Sequence, residues 1–144
     1  MTLQNLTIPC AYQGGKQRLS KQIVDTMLDE NKINNDTQFY DLCCGSGAIS
    51  IELVKRGISP SNIKMVDNSP WGLFWKMVGD GTFSTEVFKL YLDEIPKDVS
   101  KIQNHVKELS KQAANDGMFN NAVYKFLILQ ASSFGSKAIW EEIS

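Results

Sequence analysis

The sequence predicts an α/β protein with a small parallel sheet, followed by an all-helical segment. Two apolar strands, residues 38–43 and 63–66, alternate with helix-like stretches, and this alternation is typical of parallel sheets. From Gly79 onward only helical patterns follow. A chain of 144 residues is expected to form a single domain, residues 1–144. Within it we expect an α/β part in residues 1–80 and a helical part in residues 81–144.

Each element of the first part follows from its pattern of apolar residues. Residues 16–30 repeat apolar side chains at the spacing of one helix face. The strand 38–43 stops at a glycine turn, and a second helix then runs to Gly57. The next strand ends at Asp67. Pro70 suits the first turn of a third helix, because the missing N–H of proline is not needed there.

The second half is predicted as three helices. Residues 84–95, 98–114 and 120–132 carry helical patterns and are separated by Pro96 and by Asn-Asp-Gly at residues 115–117. The middle helix has an apolar stripe formed by Val99, Ile102, Val106 and Leu109. A parallel sheet of two strands is too small to be stable alone. Either further strands lie outside this sequence, or some of these helices are wrong.

The amino-acid composition is that of a globular protein without a strong excess of either charge. The hydrophobic content of 42% and the charged content of 22% are ordinary for a soluble globular protein. The net charge of −1 argues mildly against a strongly basic nucleic-acid binder, although a local basic patch can occur in a neutral chain. We find no apolar run of transmembrane length, no signal peptide and no metal-ligand spacing. Three cysteines, two of them adjacent as Cys43-Cys44, fit a reducing cytoplasm.

A glycine turn follows the first predicted strand, with the sequence DLCCGSG at residues 41–47. Gly45 and Gly47 let the backbone approach a ligand, and the next helix offers free N–H groups. Ser50 stands where the dinucleotide fingerprint has its third glycine, which weakens a pyrophosphate interpretation. Asp41 could bind an ammonium group such as the α-amino group of S-adenosylmethionine. The alternative is a tight turn with a solvated aspartate.

Asp67 is the second acidic candidate. It follows Gly47 by twenty residues, and a carboxylate at this place can accept hydrogen bonds from two ribose hydroxyls. The alternative is a cap for the helix that starts at Pro70.

Gly14-Gly15-Lys16 is not a phosphate-binding P-loop, because the first glycine and the following Ser or Thr are missing. The segment could present Lys16 to a carboxylate, with Tyr12 as an aromatic wall. An ordinary exposed loop is the alternative.

Three other features have structural interpretations. Cys43-Cys44 lacks an activating base, since the only histidine, His105, lies in a distant helix. Trp71, although it could contact an adenine, belongs to an aromatic run with the helical spacing of a core face. The third feature is a set of lysines in the helical half, which suits a solvated face at least as well as phosphate contacts: Lys97, Lys101, Lys107 and Lys111.

In their order along the chain, these motifs resemble Dam-like DNA adenine methyltransferases. The resemblance rests on Tyr-x-Gly-Gly-Lys at residues 12–16, Phe-x-Asp-x-x-x-Gly-x-Gly-Ala at 39–48, the Asp67-Asn68 strand end, and the stretch 126–135. It implies a Rossmann-like S-adenosylmethionine-dependent methyltransferase fold, with a partial parallel sheet and a helical insertion that approaches DNA. It also implies a set of cofactor-binding residues: Tyr12, Gly14, Gly15 and Lys16 at the methionine part, Asp41, Gly45, Ser46 and Gly47 in the turn, and Asp67 with Asn68 at the ribose.

The family's catalytic loop, Asp-Pro-Pro-Tyr, does not occur in this sequence. That loop holds the adenine that has flipped out of the duplex, so no residue here is assigned a catalytic role. One interpretation is a DNA adenine methyltransferase fragment or split chain, which binds double-stranded DNA and needs a second chain or C-terminal half. The other is an inactive methyltransferase-like protein, for example of a phage, which binds a host protein, DNA or the cofactor. Both imply the cytoplasm of a bacterial or phage-infected cell, without membrane contact.

Overall fold

The computed structural model describes residues 5–10, 15–116 and 121–132. These residues form an α/β fold with six α-helices, two β-strands and a short 3₁₀ turn. In chain order the elements are α1 (Ser20–Glu30), β1 (Phe39–Leu42), α2 (Ala48–Lys55), the 3₁₀ turn (Pro60–Asn62), β2 (Ile63–Val66), α3 (Pro70–Asp80), α4 (Thr85–Asp93), α5 (Val99–Asp116) and α6 (Ala122–Ser132).

The elements agree closely with the sequence-based expectations. The main difference is that α1 begins at Ser20, because the residues just before it form a turn. All three helices expected in the second half are present. Within the described residues, the predicted helices are therefore correct, and the sheet has two strands.

The chain divides into two compact units, and the main boundary lies between Gly72 and Leu73, inside α3. Of the described residues, the first unit contains 5–9 and 15–72, and the second contains Cys10, 73–116 and 121–132. The expected boundary between the α/β part and the helical part lies at the end of the same helix, after Asp80. That the whole chain forms one domain stays a prediction.

The first unit is built on the parallel pair of β1 and β2. Phe39 lies opposite Ile63, and Leu42 lies opposite Val66. One face of the sheet is covered by α1 and α2, because Val24 of α1 and Leu53 of α2 share a buried cluster with Phe39.

The opposite face of this sheet is open. Tyr40 is 67% exposed, Leu42 is 66% exposed and Val66 is 52% exposed, and the side chain of Lys64 is exposed beside them. Side chains alternate between the two faces of a strand, so these four residues form one surface, here called the open sheet face. Parallel sheets are normally covered on both faces.

A charged link joins α1 to α2. Arg56 follows α2, and its guanidinium lies 2.6 Å from Oδ1 of Asp25 on α1 and 3.0 Å from Oε1 of Glu52 on α2. The Glu52 side chain is buried. Arg56 therefore supplies the counter-charge that a buried carboxylate requires.

The second unit has its core between α4, α5 and α6. Residues 122–130 of α6 are all buried, and Leu109 of α5 packs against Leu129 of α6. The hydroxyl oxygen of Tyr124 accepts a hydrogen bond from the N–H of Ser84, at 2.9 Å, at the start of α4. None of the helices in the described residues is long and apolar enough to cross a membrane.

The predicted apolar stripe of α5 is correct only in part. Leu109 is buried and Val106 packs against the core, whereas Val99 is 80% exposed. Val99 is the first residue of α5, and a helical spacing in the sequence cannot show how far along the helix its packing partners extend.

Candidate functional site

The turn that follows β1 has a special backbone. Cys43, Gly45 and Gly47 have positive φ angles of 60°, 51° and 83°. Glycine adopts this conformation freely, whereas a residue with a Cβ, such as Cys43, does so at a cost of about 1–2 kcal/mol. Gly47 is the N-cap of α2 and offers no side-chain oxygen. The first N–H groups of α2 must therefore find acceptors outside the local sequence.

The carboxylate of Asp41, in β1, supplies such an acceptor. Its Oδ2 accepts hydrogen bonds from the backbone N–H of Ser50, at 3.3 Å, and from the Ser50 hydroxyl, at 2.6 Å. Ser50 is the third residue of α2, so Asp41 caps this helix from the neighbouring strand. A negative charge is also stabilised near a helix N-terminus.

The carboxylate of Asp67 joins the two loops at this end of the sheet. Its Oδ2 accepts the N–H of Gly45 at 2.8 Å. Its Oδ1 accepts the N–H of Ser69 at 2.8 Å and also the Ser69 hydroxyl. The Ser69 oxygen in turn accepts the N–H of Trp71 in the first turn of α3, at 3.3 Å. Asp67 thus contributes to the cap of α3 through Ser69, in addition to holding the glycine turn.

These contacts set the charge state of Asp67. Burial raises the pKa of its carboxyl, but the hydrogen bonds from Ser69 and Gly45 together outweigh burial and hold the pKa below its usual value. Asp67 is therefore an anion throughout the neutral range.

The two carboxylates differ in what they can still accept. A carboxylate oxygen accepts about two hydrogen bonds. Oδ2 of Asp41 and Oδ1 of Asp67 already have two each, and Oδ2 of Asp67 has one. Oδ1 of Asp41 accepts none from the residues that the structure describes. A cationic donor can bind Asp41 without breaking a hydrogen bond, whereas two ribose hydroxyls could bind Asp67 only if Ser69 Oγ turned away.

The pKa of the buried Cys44 thiol is raised, in part by the negative charge of this turn. Burial, with added repulsion from Asp41 and Asp67, raises the pKa of the Cys44 thiol from 9.0 to about 12. The thiol stays protonated at neutral pH and is a poor nucleophile. Its surroundings agree with the sequence-based interpretation that Cys44 has a packing role.

Close packing fixes the loop after β2. A Cβ on Gly72 would overlap the backbone carbonyl oxygen of Asp67, so only glycine lets α3 lie this close to the loop. The N–H of Gly72 also donates to the carbonyl oxygen of Ser69, at 2.9 Å. The backbone position of Asp67 is therefore defined by α3 as well as by its own hydrogen bonds.

The structure brings five of the predicted cofactor residues together. They are Asp41, Gly45, Ser46, Gly47 and Asp67, and Ser46 is buried between the two glycines. Residues 44–48 are all buried. Asp41 and Asp67 are partly exposed and Cys43 is exposed, so the accessible part of this turn lies at its carboxylates and its first residues.

The remaining predicted cofactor residues are placed differently. Asn68 is exposed beside Asp67, and Gly15 and Lys16 are exposed before α1. Lys16 forms no ion pair with a carboxylate of the described residues. Tyr12 and Gly14 lie outside the described residues.

Other parts of the molecule offer weaker candidates. A surface cavity of about 170 Å³ lies near the start of β1, next to Phe39. Its amide side chains hold neighbouring loops: Asn62 Nδ2 donates to the carbonyl oxygen of Asn35, at 2.7 Å, and Asn34 Oδ1 accepts the N–H of Asp36. The four lysines in and before α5 are all exposed. Within the described ranges, no group of three or more His, Cys, Asp or Glu side chains could hold a metal ion.

Three residues of this site are not predicted by the sequence motifs. Ser50 differs from the glycine of the dinucleotide fingerprint, and Ser69 and Gly72 belong to none of the cofactor motifs. Two features of the sequence do point to them. Ser69 precedes Pro70, and serine is a preferred N-cap residue before a proline at the first helical position. Gly72 lies inside a helix, where glycine costs about 0.5–1 kcal/mol relative to alanine, which indicates a close approach of another group.

No protein-family model, curated protein or solved structure matches this chain.

Proposed function

We propose that this chain binds S-adenosylmethionine at the turn after β1 and forms the cofactor-binding part of a DNA adenine methyltransferase. The observation that carries the proposal is that Oδ1 of Asp41 accepts no hydrogen bond from the described residues, on a carboxylate whose other oxygen is held by α2. A carboxylate oxygen with open acceptor positions suits an ammonium donor. S-adenosylmethionine offers an α-ammonium group, a sulfonium and an adenosine, and it has no phosphate.

The charge of the turn supports a cationic ligand over a phosphate. Glycine turns at a helix N-terminus often bind phosphate through free N–H groups. Here the N–H of Gly45 already donates to Asp67 and that of Ser50 to Asp41. A phosphate at these two N–H groups would have to displace both carboxylates, and a phosphate elsewhere on the turn would lie close to their negative charges and be repelled by them.

The DNA part of the proposal rests on the resemblance of the motifs to Dam-like enzymes. Methyl transfer from the sulfonium to the exocyclic amino group of adenine requires a residue set that holds the flipped base. This sequence has no Asp-Pro-Pro-Tyr loop, so we propose that a second chain or a C-terminal half supplies it. The open sheet face, with Tyr40, Leu42 and Val66, supports an additional polypeptide here, because parallel sheets are normally covered on both sides.

Calorimetric titration with S-adenosylmethionine tests the cofactor proposal. A micromolar dissociation constant corresponds to about −8 kcal/mol, and we expect Asp41→Ala and Asp67→Ala to weaken it strongly. Asp36→Ala is the matched control, because Asp36 is an exposed aspartate of the same unit. A folded wild-type chain that shows no heat of binding at millimolar cofactor would refute the proposal, as would equal losses in all three variants.

A binding protein without catalysis is the second candidate, and the open sheet face is the observation that favours it. A protein partner could cover Tyr40, Leu42 and Val66 whether or not the turn binds the cofactor. This candidate is preferred if the chain folds, fails to bind S-adenosylmethionine, and loses a captured partner on Leu42→Asp substitution.

A further inference from the structure

The hydroxyl of Ser50 performs a task that the glycine motif does not explain. Ser50 is 4% exposed and lies in the first turn of α2. Serine hydroxyls within helices commonly bond to a carbonyl of the preceding turn. This one instead donates to Oδ2 of Asp41, a residue of β1, over 2.6 Å.

Two donors from the same residue restrict the rotation of the Asp41 carboxylate. The terminal torsion of aspartate is broad and roughly two-fold, so a carboxylate with a single weak partner can exchange its two oxygens. The Ser50 N–H bond is 3.3 Å long, whereas the hydroxyl bond is 2.6 Å long. The shorter bond is charge-assisted and is the stronger of the two.

We propose that Ser50 is a positioning residue, which holds Asp41 with its Oδ1 available to the α-ammonium group of the ligand. This inference rests on the proposed cofactor function, in which the carboxylate of Asp41 binds the ligand. Ser50 thereby contributes to specificity, because it keeps the Asp41 charge at a helix N-terminus that would otherwise be open to phosphate. In the dinucleotide fingerprint, glycine occupies this position and provides no such hydroxyl.

The test compares three adenosine ligands. S-adenosylmethionine has an amino-acid part with an ammonium group and also a sulfonium, S-adenosylhomocysteine keeps the amino-acid part with a neutral sulfur, and 5′-methylthioadenosine lacks the amino-acid part and the sulfonium. In Ser50→Ala, we expect affinity for the first two to fall about tenfold, or about 1.4 kcal/mol. Affinity for 5′-methylthioadenosine should stay within about twofold of the wild-type value. Ser50→Thr keeps the hydroxyl and should recover most of the loss.

A double-mutant cycle shows whether Ser50 acts through Asp41. Ser50→Ala should have little further effect in an Asp41→Asn background, because the carboxylate that it orients is already gone. Ser50→Cys, which has a similar volume but a weak donor, provides the same comparison if the alanine variant does not fold.

The outcomes separate this inference from the proposed function. If wild-type protein binds none of the three ligands, the proposed function fails and the inference fails with it. If wild-type protein binds all three and Ser50→Ala weakens them equally, the proposed function stands and Ser50 has only a structural role. Additive losses in the cycle would likewise overturn the inference.

Discussion

The carboxylate of Asp67 accepts the backbone N–H of Gly45 at 2.8 Å, so one side chain at the end of β2 holds the glycine turn that follows β1. The same carboxylate binds Ser69 through its other oxygen. Asp67 is therefore a structural link between two loops as well as a candidate ligand for a ribose.

Asp67→Asn should lower the free energy of unfolding by about 1 kcal/mol at neutral pH. An amide has only one acceptor oxygen, so it cannot accept from both Gly45 and Ser69. The partial exposure of Asp67 keeps this loss small. Chemical denaturation at pH 7 measures it, with Asp36→Asn as the control.

The same variant tests the pH dependence of stability. The folded-state pKa of Asp67 is lowered, so its contribution is fully present above the unfolded-state value near 4. It is lost as the pH falls through the lower folded-state pKa. Wild-type protein should lose more stability than Asp67→Asn over this acidic window. Parallel stability curves for the two proteins would contradict the assigned hydrogen bonds.

Gly72→Ala should destabilise the protein by about 1–3 kcal/mol, the usual cost of forcing an extra methyl group into a packed site. The new Cβ would overlap the carbonyl oxygen of Asp67, so α3 or the loop must shift. Gly79→Ala, on the same helix, has no atom within 4 Å of its added Cβ. This control should be neutral or stabilising by up to about 1 kcal/mol. Equal effects of the two substitutions in thermal unfolding would show that Gly72 has no special packing role.

The helices and strands could be predicted from the sequence because each depends mainly on residues close together in the chain. The apolar strand of residues 63–66, the proline at the start of α3 and the glycine turn each depend on neighbouring residues. The helices of the second half were predictable for the same reason, from Pro96 and from the spacing of their apolar side chains. The positions of Asp41, Gly45, Gly47 and Asp67 at one end of the sheet also followed, since parallel strands place their carboxyl ends together.

The hydrogen bonds within the site were not predictable from these patterns. The motifs allow Asp41 to be a ligand contact or a solvated aspartate, and Asp67 to be a ribose contact or a helix cap. In the structure Asp41 caps α2 and Asp67 binds Gly45 and the residue that caps α3. Such contacts join residues nine and 22 positions apart, and no spacing rule specifies them. The open sheet face also depends on tertiary packing, because β1 alone does not show which of its two faces α1 and α2 cover.

Cysteine labelling gives an independent test of the turn. Cys43 is exposed, whereas Cys44 is buried with a thiol pKa of about 12, and burial raises the pKa of Cys10 to about 11. At pH 8, one thiol per chain should react rapidly with a disulfide reagent, and Cys43→Ser should remove that fast phase. A fast phase that persists in Cys43→Ser would show that Cys44 or Cys10 is accessible.

Arg56 forms ion pairs with Asp25 of α1 and Glu52 of α2. Arg56→Met should lower the midpoint of thermal unfolding, because it leaves the carboxylate of Glu52 buried without its cation. Arg18→Met is the matched control, since Arg18 is exposed before α1 and should tolerate the change.

A second substitution identifies the cause of that loss. If the unpaired charge of Glu52 is responsible, Glu52→Gln should recover part of the midpoint in the Arg56→Met background, although Glu52→Gln alone lowers it in the wild-type background. The sign of this coupling is specific to a buried charge pair, because loss of packing by the arginine side chain would not be repaired at Glu52. Additive effects of the two substitutions would assign the stabilisation to Asp25 or to packing instead.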